Sequence, residues 1–125
     1  MRFLLLVAHG SRRTASNDEI RALTQSLAAR AAGRFDGVRC AFLELAEPDI
    51  PTGLEQCIAE GASEVLVLPY FLSAGRHVVE DIPGAVAPVR ERHPQVRIQS
   101  LDYVGASERM LDLLLAVADR GPGSA

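Results

Sequence analysis

The stretch that decides the fold is Arg2–Ala8, which reads RFLLLVA and is apolar at consecutive rather than alternate positions. A strand that is buried on both faces has this pattern, and such strands form the middle of parallel sheets. His9, Gly10 and Ser11 follow directly. The segment therefore predicts a central parallel strand that ends in a short polar turn.

Three further runs along the chain read as strands, namely Val38–Leu45, Glu64–Tyr70 and Val96–Tyr103. A longer helical pattern follows each of the four strands, and this alternation implies parallel strands joined by right-handed crossovers. The predicted fold class is α/β. We expect a single open parallel four-stranded sheet with helices on both faces, a flavodoxin-type lobe over residues 1–120, followed by a flexible tail at 121–125.

The helical patterns carry their own start and stop signals. Ser16–Glu19 reads as a capping box, and the helix behind it should end at Gly33. The second helix should end at Gly61, and the last should run from Ser107 to Arg120. We expect the third, His77–Arg92, to be kinked or broken at its start by Pro83. The predicted buried stripes are Ile20, Leu23, Leu27 and Ala31 in the first helix and Ile50, Leu54, Cys57 and Ile58 in the second.

Composition excludes several classes of protein. Of 125 residues, 48% are hydrophobic and 23% charged, which excludes wholesale disorder. The net charge of −3, with no basic run, argues against nucleic acid as a partner. No apolar stretch approaches the roughly 20 residues that a membrane helix needs, so we expect no membrane partner and a cytoplasmic location. Cys40 and Cys57 are too few for a disulfide scaffold and are predicted to be buried, reduced thiols.

Chemically useful side chains follow the predicted strands. His9 comes after the first strand, Glu44 ends the second, and His77 follows the third, whereas His93 ends a helix and belongs to the opposite pole. Ligands of open α/β sheets bind at the carboxyl ends of the strands. Two neutral imidazoles and a carboxylate suit Fe, Co, Ni or Zn and leave coordination positions open.

Each of these residues also has a purely structural interpretation. His9 could cap a loop, Glu44 could be a solvated carboxylate, and His77 could start a helix while bonded to Glu80 or Asp81. Three arginines, Arg12, Arg13 and Arg76, lie in the same loops. An arginine there can grip a carboxylate or phosphate through two hydrogen bonds, or it can simply be a surface charge.

Three blocks together resemble a known family. They are Val7–Arg12 (VAHGSR), Glu44–Pro48 (ELAEP) and Leu68–Pro83 (LPYFLSAGRHVVEDIP). In this order they are similar to the short-form sirohydrochlorin chelatases, which are class II tetrapyrrole chelatases with cobalt-, iron- and nickel-inserting members. The resemblance runs from about Leu4 to Tyr103.

The resemblance implies an enzyme that inserts a divalent metal into sirohydrochlorin or a related tetrapyrrole, in siroheme or cobalamin biosynthesis. It implies that His9 and His77 hold the metal and that Glu44 assists metal binding or proton transfer. The metal is a substrate, no organic cofactor is implied, and short members pair as homodimers. The candidates for the substrate's carboxylates are the Ser11 hydroxyl, Arg12, Arg13, Arg76 and the loop amides of Ser73, Ala74 and Gly75.

Two other functions remain open on the sequence. A histidine phosphatase carries its nucleophile in an R-H-G motif, but here Ala8 stands where that motif has arginine. A non-enzymatic carrier of metal or tetrapyrrole could use the same residues without turnover. The sequence does not choose among cobalt, iron and nickel, because all three accept such ligands.

Overall fold

A computed structural model describes residues 1–122 of the chain, except for the side chain of His77. Four strands form one parallel sheet in the order β2-β1-β3-β4, so the fold class predicted above is confirmed. In chain order the elements are β1 (Arg2–Ala8), α1 (Thr14–Arg30), β2 (Gly37–Phe42), α2 (Ile50–Ala59), β3 (Glu64–Pro69), a π-helical turn (His77–Asp81), α3 (Ile82–Arg92), β4 (Arg97–Ser100), a 3₁₀ turn (Val104–Ala106) and α4 (Arg109–Arg120).

β1 lies at the centre of the sheet because its side chains are buried on both faces, as its unbroken apolar run requires. Phe3, Leu5 and Val7 point to the face that α2 and α3 cover, where they pack with residues such as Leu54 and Val86. On the other face, Leu4 of β1 packs with Val38, Leu66 and Ala31 beneath α1. Helices therefore lie on both faces, with two on one face and α1 on the other.

Three strands are shorter than predicted, although β3 loses only Tyr70. β2 ends at Phe42 rather than at Leu45, because the chain turns away and Leu45 adopts a positive φ of 65°. β4 covers only Arg97–Ser100 because it is an edge strand that pairs with the first four residues of β3. Glu44 consequently lies in a loop and does not end a strand.

The predicted start of α1 is wrong. The helix begins at Thr14, its N-cap is Arg13 without a side-chain cap, and Ser16 is already helical, so no capping box forms. The buried stripe is also rotated, because Asn17 and Thr24 are buried while Leu23 is 38% exposed. The stripe of α2 is as predicted, with Ile50, Leu54 and Cys57 buried.

A turn that is not α-helical precedes both α3 and α4. The expected break near Pro83 is present, since the π-helical turn His77–Asp81 precedes α3 and Pro83 lies in the first α-helical turn, where a missing N–H costs least. α4 starts at Arg109, two residues later than predicted, because the 3₁₀ turn comes first. Of the predicted tail, residues 123–125 lie outside the described part, and the boundary at residue 120 stays a prediction.

The two cysteines have different environments. Cys57 is buried, and burial raises the pKa of its thiol to about 11. Cys40 is only partly buried, which corrects the expectation that both would be buried, and both are free thiols. Across the described residues, no helix is both long and apolar enough to cross a membrane.

The loops after β1 and β2 approach each other closely at Gly10. Two backbone hydrogen bonds join them, from the Leu43 amide to the Ala8 carbonyl (3.0 Å) and from the Glu44 amide to the His9 carbonyl (3.1 Å). Gly10 has a φ of +93°, and a Cβ atom there would overlap the Glu44 carbonyl oxygen. Only glycine therefore allows the two loops to meet.

Replacing Gly10 by alanine should destabilise the chain more than the same change at Gly33. Gly33 has a similar φ of +89° but open space around it, so Gly33→Ala should cost only backbone strain, about 1–2 kcal/mol. Gly10→Ala adds the overlap and should cost about 2–5 kcal/mol. Urea unfolding of both variants measures the difference, and equal free energies of unfolding would contradict the close approach.

Candidate functional site

His9 and Glu44 come together at the carboxyl edge of the sheet. The His9 Nε2 atom lies 3.5 Å from Glu44 Oε1, and the two side chains are 45% and 53% exposed. They follow neighbouring strands, β1 and β2, whose loops are joined by the hydrogen bonds described above. Of the residues predicted for the site, the described side chains thus bring one histidine and the carboxylate into contact range.

The orientation of the His9 ring follows from its second nitrogen. Nδ1 lies 3.0 Å from the carbonyl oxygen of Gly10, and because a carbonyl only accepts, Nδ1 must carry the proton. In the neutral ring, Nε2 then presents its lone pair toward the carboxylate.

Asn17 holds the turn that carries His9, and the sequence analysis missed this role. Its buried side-chain amide accepts from the Ser11 amide (2.9 Å) and donates to the Ser11 carbonyl (2.8 Å). The Ser11 hydroxyl in turn accepts from the Arg13 amide at 3.0 Å. The available signal was Asn17 at three residues before Ile20, a polar residue on the apolar stripe of α1.

Arg21 holds the loop that carries Glu44, and it was missed as well. Its guanidinium donates to the Glu47 carbonyl (2.9 Å) and to Asp18 (2.9 Å), and it lies over the ring of Phe42. At the other end of this loop, Asp49 caps α2 by accepting from the Thr52 amide. Hydrogen bonding by the Thr52 side chain, and next by its amide, lowers the pKa of the Asp49 carboxyl. No local sequence pattern marks this role of Arg21, because Glu47 lies 26 residues away. The pairing with Asp18, three residues earlier, is one that any exposed helix surface can show.

The loop after β3 contains the remaining predicted site residues. Ser73, Ala74, Gly75 and Arg76 are exposed, and Arg76 makes a long ion pair with Glu80 at 3.9 Å. The loop rests on the 3₁₀ turn, where the Gly105 amide donates to the Phe71 carbonyl. His77 begins the π-helical turn at the end of this loop, while its side chain lies outside the described part of the structure.

A groove of about 560 Å³ runs beside His9 on the α1 face of the sheet. We call it the α1 groove. It is lined by both apolar and polar residues of α1 and of the segments at the carboxyl ends of β1 and β3, namely Ala8, His9, Gly10, Ser11, Ser16, Asn17, Glu19, Ile20, Ala22, Leu23, Ser26 and Tyr70. Tyr70, 40% exposed, was not predicted as a site residue. Glu44 lines separate hollows on the other side, so the His9–Glu44 pair stands between two open surfaces.

Arg12 and Arg13 are exposed just before α1, and they follow directly on Ser11, which lines this groove.

His93 lies elsewhere, at the end of α3, where its Nε2 contacts Glu55 at 2.7 Å and Arg92 pairs with the same carboxylate. Hydrogen bonds from Arg92 and then from the His93 ring lower the pKa of the Glu55 carboxyl. His93 thus lies at the pole opposite to His9, as predicted, and its side chain is 24% exposed.

The described side chains do not form a complete set of metal ligands. Among the described side chains, no group of three or more His, Cys, Asp and Glu residues could hold a metal ion. In the described part of the structure, His9 and Glu44 form an exposed pair at the open edge of the sheet.

Relatives of the chain agree on one family. The CbiX family model matches residues 3–120. The chain is 35% identical over 112 residues to a sirohydrochlorin ferrochelatase from Priestia megaterium, covering 90% of this chain and 41% of the relative. It is 28% identical to a sirohydrochlorin cobaltochelatase from Methanococcus aeolicus, covering 99% of this chain and all of the relative.

Among solved structures, the sirohydrochlorin chelatase SirB from Bacillus subtilis subspecies spizizenii, in complex with cobalt, superposes with a TM-score of 0.84 at 30% identity. That match covers 96% of this chain and 50% of SirB. The chain thus spans about half the length of SirB and of the Priestia relative. With the matched model covering nearly all of its length, the chain belongs to the CbiX family.

Proposed function

We propose that this chain is a sirohydrochlorin chelatase that inserts a divalent metal, cobalt, iron or nickel, into a tetrapyrrole. The observation that carries the proposal is the His9–Glu44 pair at the carboxyl edge of the sheet, in a chain whose relatives are named for this reaction. Insertion exchanges two pyrrole protons for one divalent ion, so the site must hold a cation and accept protons.

The His9–Glu44 pair suits both tasks. Nitrogen and carboxylate oxygen ligands bind a divalent ion such as zinc at roughly 2.0–2.2 Å, which places neighbouring ligand atoms roughly 3.0–3.5 Å apart. The separation of 3.5 Å between Nε2 and Oε1 is of this size. Two exposed ligands hold an ion weakly enough to release it, and once it leaves, the carboxylate or the imidazole can take up a proton. His77, at the same edge by its backbone position, is proposed as a further metal ligand.

The carboxylates of the proposed substrate need hydrogen-bond donors, although the protein as a whole carries a net negative charge. Arg12, Arg13 and Arg76, the Ser11 hydroxyl and the amides of Ser73–Gly75 are proposed for this role. The arginines are exposed, and Arg76 is only loosely paired, so they are accessible to a ligand. The open edge encloses nothing the size of a macrocycle, which supports the proposal that the enzyme acts as a homodimer. We further propose that it acts in the cytoplasm.

Replacing either proposed metal ligand should nearly abolish insertion. His9→Ala and His77→Ala should each lower the rate by about 100-fold or more, because a lost nitrogen ligand leaves the ion misplaced. The matched control is His93→Gln, since His93 lies at the other pole beside Glu55. The rate is read from the absorbance of sirohydrochlorin with each divalent ion in turn. Equal losses in all three variants would refute the assignment, and tight binding without turnover in the wild type would favour a carrier.

The charge of Glu44 should matter more than its shape. Glu44→Gln keeps the side-chain size but removes both the negative charge and the proton acceptor, so the rate should fall by roughly 10- to 100-fold. Glu47→Gln is the control, because Glu47 is an exposed carboxylate of the same loop. If Glu44→Gln inserts metal at the wild-type rate from pH 6 to 9, then Glu44 is a solvated surface residue without a role in insertion.

The three arginines should attract the carboxylates of the substrate, and dissolved salt should screen this attraction. A triple variant with Arg12, Arg13 and Arg76 changed to glutamine should bind sirohydrochlorin ~10-fold more weakly at low salt, and the difference should shrink at high salt. Arg30→Gln, in the last turn of α1, serves as the control. Fluorescence titration at two ionic strengths measures both effects, and a loss that is independent of salt would point to damaged packing instead.

A further inference from the structure

Leu45 combines two unfavourable features for which the fold shows no need. Its φ of 65° lies in the left-handed region, where the Cβ of a leucine crowds the next carbonyl group and where glycine or asparagine is usual. Its side chain is 56% exposed and, within the described residues, belongs to neither of the two hydrophobic clusters of the core. A single exposed leucine is ordinary, but residues held in strained conformations cluster at functional sites. The leucine side chain is therefore better explained by a ligand that it contacts.

The backbones of Leu45 and of a second exposed leucine, Leu72, are both held in place. The loop with Leu45 is fixed by the Glu44 amide, which continues the ladder between β1 and β2. Leu72 is 75% exposed and, among the described residues, also lies outside both hydrophobic clusters. The Gly105 amide donates to the Phe71 carbonyl at 2.9 Å, and a Cβ at Gly105 would overlap the Leu72 carbonyl group. Exposed side chains on fixed backbones suit binding, because little backbone freedom is lost when a ligand arrives.

The loops that carry the two leucines lie on opposite sides of His9. The strand order is β2-β1-β3, and each leucine is the third residue after its strand, Leu45 after β2 and Leu72 after β3. Both strands pair with β1, whose end leads into His9. Neighbouring strands are about 4.8 Å apart, which separates the two outer strands by about 10 Å. The open edge therefore carries apolar side chains on both sides of the histidine.

We propose that Leu45 and Leu72 are substrate-contact residues that support the flat face of the tetrapyrrole on both sides of His9. This role rests on the function proposed above and adds which part of the substrate the two leucines recognise. A tetrapyrrole has apolar ring faces and polar nitrogens at its centre. An ion held by His9 and Glu44 would face those nitrogens, while the leucines would bury the surrounding ring surface, which the hydrophobic effect favours.

The chemistry of the edge favours a tetrapyrrole over a protein surface as the occupant. Glu44 and Leu45 are neighbours that line the same hollow of about 670 Å³. A protein surface packed on both leucines would also cover the Glu44 carboxylate, and burial of a charge without a partner is costly. A tetrapyrrole that receives an ion from the His9–Glu44 pair brings polar nitrogens to the same place. An edge that is polar in the middle and apolar on both sides matches a ligand with that pattern.

The first measurement is binding without turnover, by fluorescence titration of metal-free sirohydrochlorin with the whole chain. Leu45→Asn and Leu72→Asn keep the number and branching of the side-chain heavy atoms but remove apolar surface. Each should raise Kd by about 10-fold, and the double variant by about 100-fold. These losses should be equal at low and high salt, because the contact is apolar. Leu45→Met and Leu72→Met restore the apolar surface and should recover most of the affinity.

Two outcomes of this titration separate the role of the leucines from the proposed function. If wild type binds sirohydrochlorin and inserts metal while the double asparagine variant binds equally tightly, the role of the leucines is refuted and the chelatase proposal stands. If wild type neither binds sirohydrochlorin nor inserts metal into it, the proposed function is refuted and the role of the leucines with it.

The second measurement separates a binding role from a structural one. Asparagine adopts the left-handed conformation more readily than leucine, so Leu45→Asn should unfold at an equal or higher urea concentration than wild type while binding more weakly. A lower urea midpoint would show that the fold needs this leucine and would overturn the proposal. Sedimentation velocity tests the other occupant, a second copy of the chain. The double asparagine variant should sediment as wild type, and a change of mass would assign the leucines to a protein interface instead.

Discussion

The contact between the first two loops determines the geometry of the site. β1 and β2 run side by side, and their ladder continues beyond the strands through the amides of Leu43 and Glu44. Gly10 allows this continuation because it has no Cβ to meet the Glu44 carbonyl. The backbones of His9 and Glu44 are thereby fixed relative to each other, and only the rotation of two short side chains remains to be set. A site that must hold an ion and then release it is well served by a rigid frame with exposed, weakly held ligands.

Support for this frame comes from polar residues one layer away. Asn17 fixes the first loop through both ends of its amide, and Arg21 fixes the second through the Glu47 carbonyl. Both side chains project from α1, so this helix connects the two loops as well as covering the sheet. At the opposite pole, Arg92 and His93 of α3 bind Glu55 of α2. The structure thus separates a charged network that joins two helices from the open edge that carries His9 and Glu44.

One lobe leaves the site half enclosed. The face of the sheet under α2 and α3 is shielded from solvent, and Val7, Leu54 and Val86 are fully buried there. The α1 face is covered only in part, and the chain's most amphipathic helix lies away from it.

The sequence by itself determined the α/β fold, the central position of β1 and the edge at which His9 and Glu44 meet. These follow from local physics: a run of consecutive apolar residues must be buried on both faces, and the carboxyl ends of parallel strands share one edge. The end of β4 differs from the prediction because the pairing of this edge strand with β3 stops at Ser100. The end of β2 differs because the chain turns at Leu45, and α1 starts earlier than its sequence pattern predicts. Only the tertiary structure decided which residues support the site. The roles of Gly10 and Arg21 depend on partners in other segments, since Glu44 and Glu47 lie 34 and 26 positions further along the chain, and no local pattern encodes such a distance.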